Sequence, residues 1–408
     1  MSLIDVFLRR AVKRGELILH RPGKPTVTFG RPEPGFGAIV LRFTDTGVER
    51  AIVRDPGLGA GEMYMAGRLQ VDGDDIWGLV HLLTANDPWE AGAQHLVASR
   101  LVRAAGKLRH RVERINMERR SKRNVAHHYD LSGRLYDLFL DRDRQYSCAY
   151  YTDPANDLDR AQEDKLAHIA AKLAIRPGMR VLDIGCGWGG MALYLHRKLG
   201  AEVLGVTLSE EQLEVARARA EEAGVADKVR FELIDYRRVE GQFDRIVSVG
   251  MFEHVGPAHY GQFFQQCRRL LTENGVMLLH TIGRLGPPGV TDRWTTKYIF
   301  PGGYNPALSE IVAASEPTRM FLTDVETLRL HYAWTLRAWY ERTVAARDEI
   351  IALYDERFYR MWTFYLAGAA KAFEHGGLCN FQLQFSRSRT ELPVTRDYMI
   401  DEERRLRG

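Results

Sequence analysis

Between Met179 and Ile282 the chain alternates short apolar runs with stretches of helical periodicity, and this alternation constrains the fold more than any other feature. Strand-length runs fall at 180–184, 202–206, 228–233, 243–249 and 275–281, with helical stretches at about 189–199, 209–223 and 257–271. Parallel strands cannot be joined by a tight turn and need crossovers of this kind, so the pattern predicts an open α/β sheet. The first run, Val181-Leu182-Asp183-Ile184, leads into Gly185-Cys186-Gly187-Trp188-Gly189-Gly190 and then a helix. Glycines there permit a tight strand-to-helix turn and let a ligand approach the backbone closely.

That turn admits two kinds of cofactor. Gly185, Gly187 and Gly190 satisfy G-x-G-x-x-G, which a dinucleotide-binding fold would also show. Asp183 stands where methyltransferases of this fold place an acid near the amino-acid end of S-adenosylmethionine. The second strand ends Val206-Thr207-Leu208-Ser209, without the acid that NAD recognition uses at the ribose. Both points favour S-adenosylmethionine. Many methyltransferases also carry an acid at that strand end, however, so a dinucleotide oxidoreductase stays open as the alternative.

The rest of the chain divides into three expected parts. Residues 1–95 are rich in turns (Pro22, Gly23, Pro25, Gly30, Pro32, Pro34) around β-like runs such as 38–43, and predict a small α+β domain for lipid docking or dimerisation. Residues 96–123 form a basic helical connector: Arg100, Arg103, Lys107, Arg109, Arg111, Arg114, Arg119, Arg120, Lys122 and Arg123 face only Glu113 and Glu118. Such a run is either a solvated helix face or a surface for anionic phospholipid or nucleic acid, and charge alone does not choose. Residues 124–408 are expected to be the catalytic domain, with long helical segments near 324–346 and 347–375 and a closing strand at 381–385.

Composition excludes several classes. The four cysteines are scattered, with no CxxC pair, so no structural metal site or disulfide framework is expected and a reduced, cytoplasmic setting fits. No run of about 18 apolar residues is present, so membrane attachment would be peripheral.

Five motifs then stand in order: His127-His128-Tyr129-Asp130-Leu131-Ser132; Gln145-Tyr146-Ser147-Cys148-Ala149-Tyr150-Tyr151; the glycine turn; Gly250-Met251-Phe252-Glu253-His254-Val255-Gly256; and Leu278-Leu279-His280-Thr281-Ile282-Gly283. Lys297-Tyr298-Ile299-Phe300-Pro301-Gly302-Gly303 follows. Together they resemble the cyclopropane-fatty-acid synthase and mycolic-acid cyclopropane synthase family of S-adenosylmethionine-dependent methyltransferases, from about residue 124 to the C-terminus. The segment 57–67 is similar to part of the N-terminal domain of the bacterial fatty-acid members.

The resemblance implies a Rossmann-like class I methyltransferase sheet with extra helices, and a reaction. The π bond of an unsaturated phospholipid acyl chain attacks the methyl carbon of S-adenosylmethionine, leaving a carbocation. A base, bicarbonate in this family, removes a proton from the added methyl group and the ring closes. Carried over by motif, the bicarbonate pocket is Cys148, Glu253, His280, Ile282 and Tyr332. Glu253 would accept the ion's hydroxyl proton, while His280, Tyr332 and the backbone N–H groups of Cys148 and Ile282 would donate. The Tyr129 ring would stabilise the cation. At the cofactor the resemblance adds Tyr146, Ser147, Thr207, Leu208 and Gln212 to Asp183, Gly185, Cys186, Gly187, Gly189 and Gly190, with Asp235 and Tyr236 near the adenine.

Taken singly, these residues also have plainer readings. Glu253-His254 reads as a surface pair, His280 as a core histidine, Cys148 as an inert buried thiol, and Tyr332 as packing. The chain departs from the family once: many members have a cysteine where Ala369 stands, so an active protein here does not need it. The loop 298–304 reads as a membrane-touching lid. Expected partners are unsaturated phospholipid acyl chains and, peripherally, the inner face of an anionic membrane, with no nucleic acid; a homodimer is one expected form. The alternatives are a methylene or methyl-branched acyl product on the same fold and, more distantly, a non-catalytic lipid-binding protein.

Overall fold

The structure, a computed structural model, describes residues 2–92 and 132–408. The basic connector 96–123 and Tyr129 lie outside the described residues. By contact the described chain forms two units: residues 2–92, 292–299 and 333–377, and residues 132–291, 300–332 and 378–408. Two stretches expected in the catalytic domain, 292–299 and 333–377, thus group with the N-terminal residues.

In the first unit, strands β1 (Gly15–Arg21), β2 (Lys24–Arg31), β3 (Ala38–Phe43) and β4 (Leu69–Val71) form a sheet in the order β2-β1-β3-β4. The β1–β2 hairpin is antiparallel and β1–β3 is parallel. Alternate side chains of β1, Leu17 and Leu19, enter a core with Phe29, Leu41, Phe43 and Val48, as a half-buried strand requires. The sequence 57–67 forms the helix Pro56–Met65, started by Asp55 as N-cap and Pro56 in its first turn. Helix Arg293–Tyr298 belongs to this unit: Trp294 packs edge-on against Phe364 with ring centroids 4.8 Å apart, and Lys297 pairs with Glu62 at 2.6 Å. Gly61 admits that contact, since a Cβ there would lie 2.4 Å from the Trp294 indole nitrogen.

The second unit is built on seven strands in the order β10-β11-β9-β8-β5-β6-β7. They are β5 (Arg180–Ile184), β6 (Glu202–Thr207), β7 (Val229–Leu233), β8 (Phe243–Val249), β9 (Leu271–Arg284), β10 (Phe321–Leu328) and β11 (Leu378–Ser386). Strands β5 to β9 pair in parallel, and β11 and then β10 add antiparallel. The crossover helices Gly190–Leu199, Glu210–Glu222 and Tyr260–Leu270 stand where periodicity places them. Strand order reverses between β5 and β8, and a ligand crevice opens outside the carboxyl ends of strands at such a reversal.

Two elements differ from expectation. Residues 321–328 form β10, not the start of a helix. Leu322, Val325 and Leu328 recur at helical spacing, but pairing of this segment with β11 from Phe321–Ser386 to Leu328–Asn380 decides its state. The chain also does not close on β11, because helix Asp397–Arg407 follows. Its charged sequence hides the two residues it buries, Met399 and Leu406. Within loop 298–304, Ile299 and Tyr304 are buried, at 2% and 5% exposure.

Candidate active site

A cavity of about 1240 Å³, its open mouth included, lies at the carboxyl ends of β5, β6 and β8. Of the cofactor positions named from sequence, Tyr146, Ser147, Asp183, Gly185, Cys186, Gly187, Gly190, Thr207, Leu208, Gln212, Asp235 and Tyr236 line it, and Gly189 does not. Two glycines show what the turn requires. Gly185 has φ +82°, and a Cβ on it would lie 2.9 Å from Met251 Cβ. At Gly190 a Cβ would lie 2.1 Å from Gln145 Nε2, so only glycine lets that side chain cross the start of the helix.

The Gln145-Tyr146-Ser147 segment is held from both sides. Asp141 accepts the N–H groups of Asp143 at 2.9 Å and Gln145 at 2.8 Å, closing the turn that leads into it. From helix Leu158–Leu173, Gln162 donates to the carbonyls of Gln145 (3.1 Å) and Ser147 (3.0 Å). Lys165 donates to Gln145 Oε1 at 2.7 Å and Ser147 Oγ at 2.9 Å. Nothing in the sequence distinguishes Lys165 from a surface lysine; its complete burial does.

Asp183 is buried, and its Oδ2 has no hydrogen-bond partner among the described residues. Burial pushes its carboxyl up to about 7, although the positive charge of Lys165 works against that. Burial likewise brings Lys165 down to about 8. Thr207 donates to Gln212 Oε1 at 2.9 Å. Asp235 is gripped by Arg237, with Nε at 2.9 Å and Nη2 at 2.6 Å. Arg237 and His259 also line the cavity and were not named from sequence, and Trp188 and Met251, quoted there within their motifs, line it too.

The second group of residues joins the cavity through β8 and β9. Gly250 lines the cavity, and its N–H donates to the His280 carbonyl at 3.0 Å. Three residues on, Glu253 is buried, so the surface-pair reading does not hold for it. Its Oε1 accepts the Ile282 N–H at 2.5 Å and its Oε2 is buried without a partner among the described residues. Burial raises this carboxyl to about 7. The N–H expected to serve bicarbonate at Ile282 is therefore engaged by Glu253, because β9 runs that amide directly past the carboxylate. His280 is 1% exposed and burial lowers it to about 3, so its imidazole is neutral.

Cys148 and Tyr332 are both buried, and their chain segments meet. The Tyr151 N–H donates to His331 Nδ1 at 3.0 Å, and the Tyr150 ring stacks on His331 at 4.9 Å. The Cys148 thiol faces the neighbouring Ala149 carbonyl at 3.3 Å.

Residues 116–383 match the family described as mycolic acid cyclopropane synthetase. The chain belongs to that family. It is 41% identical over 350 residues to the cyclopropane-fatty-acyl-phospholipid synthase of Escherichia coli (strain K12), covering 85% of this chain and 87% of that protein. It is 36% identical over 266 residues to cyclopropane mycolic acid synthase 1 of Mycobacterium tuberculosis (strain H37Rv), covering 62% of this chain and 93% of that one. Among solved structures, mycolic acid cyclopropane synthase CmaA1 complexed with SAH and CTAB superimposes with a TM-score of 0.62 at 34% identity, over 65% of this chain and 98% of that one. The seven-stranded sheet is thus that of a class I methyltransferase, and the dinucleotide alternative falls away. The Escherichia coli match reaches into the N-terminal residues that the family match leaves out.

Proposed function

We propose that this protein is an S-adenosylmethionine-dependent C-methyltransferase that forms cyclopropane rings on unsaturated acyl chains of phospholipids. The observation that carries the reading is Gly250, which lines the cofactor cavity and bonds to the strand position of His280. A methyl donor in the cavity would stand beside the buried Glu253–His280 group. The synthase relative that matches 85% of this chain acts, by its name, on fatty acyl phospholipids.

The cavity fits S-adenosylmethionine. The orphaned Asp183 Oδ2 suits the ammonium of its amino-acid end, a charge-assisted pairing that no described residue now supplies. Thr207 occupies the Gln212 carbonyl, which leaves the amide's donor end for a ribose hydroxyl. Any bond from Asp235 to the adenine competes with the Arg237 fork. When bound, the cofactor supplies an electrophilic methyl group. The residues then hold the donor fixed, exclude water and leave a positioned base to act on an acidic proton, where orientation counts for more than base strength.

Bicarbonate, by resemblance the source of that base, fits in part. Glu253 Oε2 is a buried acceptor suited to a hydroxyl donor. The Ile282 N–H would become available only if Glu253 released it. Peripheral contact with an anionic membrane and a homodimer belong to the same reading. No described helix is long and apolar enough to cross a membrane.

Incubation with S-adenosylmethionine and unsaturated phospholipid vesicles, followed by analysis of fatty acid methyl esters, tests the reading. A product heavier by one CH₂ and resistant to hydrogenation is expected. No new product from protein that demonstrably binds the cofactor would overturn it. A methyl-branched or methylene product is the second reading, favoured by the 38% identity over 275 residues to a tuberculostearic acid methyltransferase of Mycobacterium tuberculosis; NMR of the product separates the two.

A further inference from the structure

His280 does not sit alone. Across the sheet, Glu326 of β10, Gln382 of β11 and His280 of β9 pair directly opposite one another, forming a polar row on one face. Helix Leu158–Leu173 covers that row with His168 and Lys172. Gln382 Oε1 accepts from Lys172 Nζ at 2.9 Å, while Gln382 Nε2 lies 3.1 Å from His280 Nδ1. Lys172 is also paired with Glu326. Glu326 meets His168 Nε2 at 2.7 Å, and His168 Nδ1 meets Glu403 at 2.8 Å. His280, Gln382 and Lys172 are at most 2% exposed. Burying so many polar groups behind one histidine is costly unless each is satisfied, and an apolar strand face would be easier to fold.

The row fixes which ring nitrogen of His280 carries the proton. An ammonium can only donate, so Lys172 draws the oxygen of Gln382 and turns its NH₂ toward the ring. Nδ1 must then accept, and in a neutral imidazole the proton goes to Nε2. Asn380, opposite Ile282, lies 3.4 Å from Nε2 through its amide, and its Oδ1 has no partner among the described residues. With that amide turned over, Oδ1 accepts the Nε2 proton. Nε2 thus faces Asn380, the β11 residue paired opposite Ile282, whose N–H is held by Glu253, and Nδ1 faces the row.

We infer that Gln382, oriented by Lys172, is a positioning residue that locks His280 in the Nε2–H tautomer, so that its only donor faces the Glu253–Ile282 end of the site. The inference rests on the proposed function for what His280 does, but the tautomer can be read without turnover.

The test is NMR of the full chain carrying isotope-labelled histidine, with His280 assigned through His280→Gln. The wild type is expected to show the proton on Nε2. In Gln382→Glu a carboxylate accepts from both Lys172 and the ring, so the proton moves to Nδ1 or occupies both nitrogens. Product formation then falls roughly tenfold or more, as loss of a correctly placed donor does, while SAH affinity stays within about twofold. Lys172→Met, which frees Gln382 to turn over, is expected to give a mixture of tautomers. A wild-type spectrum with the proton on Nδ1 overturns the inference and needs no variant to fold. So does a Gln382→Glu protein with both spectrum and rate unchanged. A wild type that shows the Nε2 proton but makes no lipid product defeats the functional reading and leaves this inference standing.

Discussion

The Ile282 backbone N–H donates to Glu253 Oε1 across 2.5 Å, and the other oxygen of that carboxylate is buried with no partner among the described residues. Half of the group is satisfied and half is held ready. A carboxyl raised to about 7 from 4.5 binds more protons folded than unfolded between those values. Its stabilising contribution is therefore complete below about 4.5 and is lost as pH rises through about 7. Glu253→Gln should remove that contribution, so in urea the wild type should lose stability relative to the variant as pH rises from about 4.5 to about 7. The same variant should keep its SAH affinity and lose product formation by roughly a hundredfold. Parallel loss of both would contradict the assigned role.

Asp183 predicts a pH-dependent affinity for the cofactor. Its carboxyl sits at about 7 in the free protein, and pairing with an ammonium favours the ionised form. Binding at pH 6 should therefore release a proton, visible by calorimetry in buffers of different ionisation enthalpy. Affinity should fall by up to about tenfold per pH unit below 7 and level off above it. A flat profile from pH 5 to 8, with no proton released, would show that Asp183 is already ionised or does not meet the cofactor.

The alternation of strands and helices from 179 to 282 was readable because each β-α step repeats the same local physics: a buried run, a turn, an amphipathic crossover. The glycine turn was readable for the same reason, since it follows the carboxyl end of β5, whereas Tyr146, Ser147, Cys148, Glu253, His280 and Tyr332 were named through resemblance to a family and not through local pattern. Three things were not readable. β10 carries apolar residues at helical spacing, and its state is decided by pairing with β11 in the second unit. The terminal helix is mostly charged, so its two buried residues do not stand out. Lys165, Gln382 and Lys172 act through burial and through partners far away in sequence, and local pattern carries no trace of either.

Gly185→Ala tests the turn itself. At φ +82° an alanine pays about 1–2 kcal/mol for the left-handed backbone. Its Cβ would also press on Met251 Cβ at 2.9 Å, and both residues line the cavity. SAH affinity is expected to drop at least tenfold with the fold retained, as judged by circular dichroism. Unchanged affinity would mean that the cofactor does not depend on this turn.

Arg245 should govern the stability of the second unit. Its side chain is 1% exposed and donates to the carbonyls of Leu173 (2.5 Å), Ala174 (3.0 Å), Asp244 (2.8 Å) and Asn274 (3.3 Å) and to Glu391 (2.8 Å). One guanidinium thus ties the end of helix Leu158–Leu173 to strands β8 and β9. Arg245→Met fills a similar volume but removes the donor from four carbonyls and leaves the Glu391 carboxylate with Arg176, at 3.1 Å, in place of two arginines. Breaking a buried pair from one side costs about 3–5 kcal/mol, so unfolding in urea should shift by that much. Arg245→Lys keeps the charge but cannot reproduce the planar fork, and should recover only part of the loss. If Arg245→Met costs less than about 1 kcal/mol, an ordinary surface pair's worth, then the carbonyls find other donors and Arg245 is not the tie between the helix and the sheet.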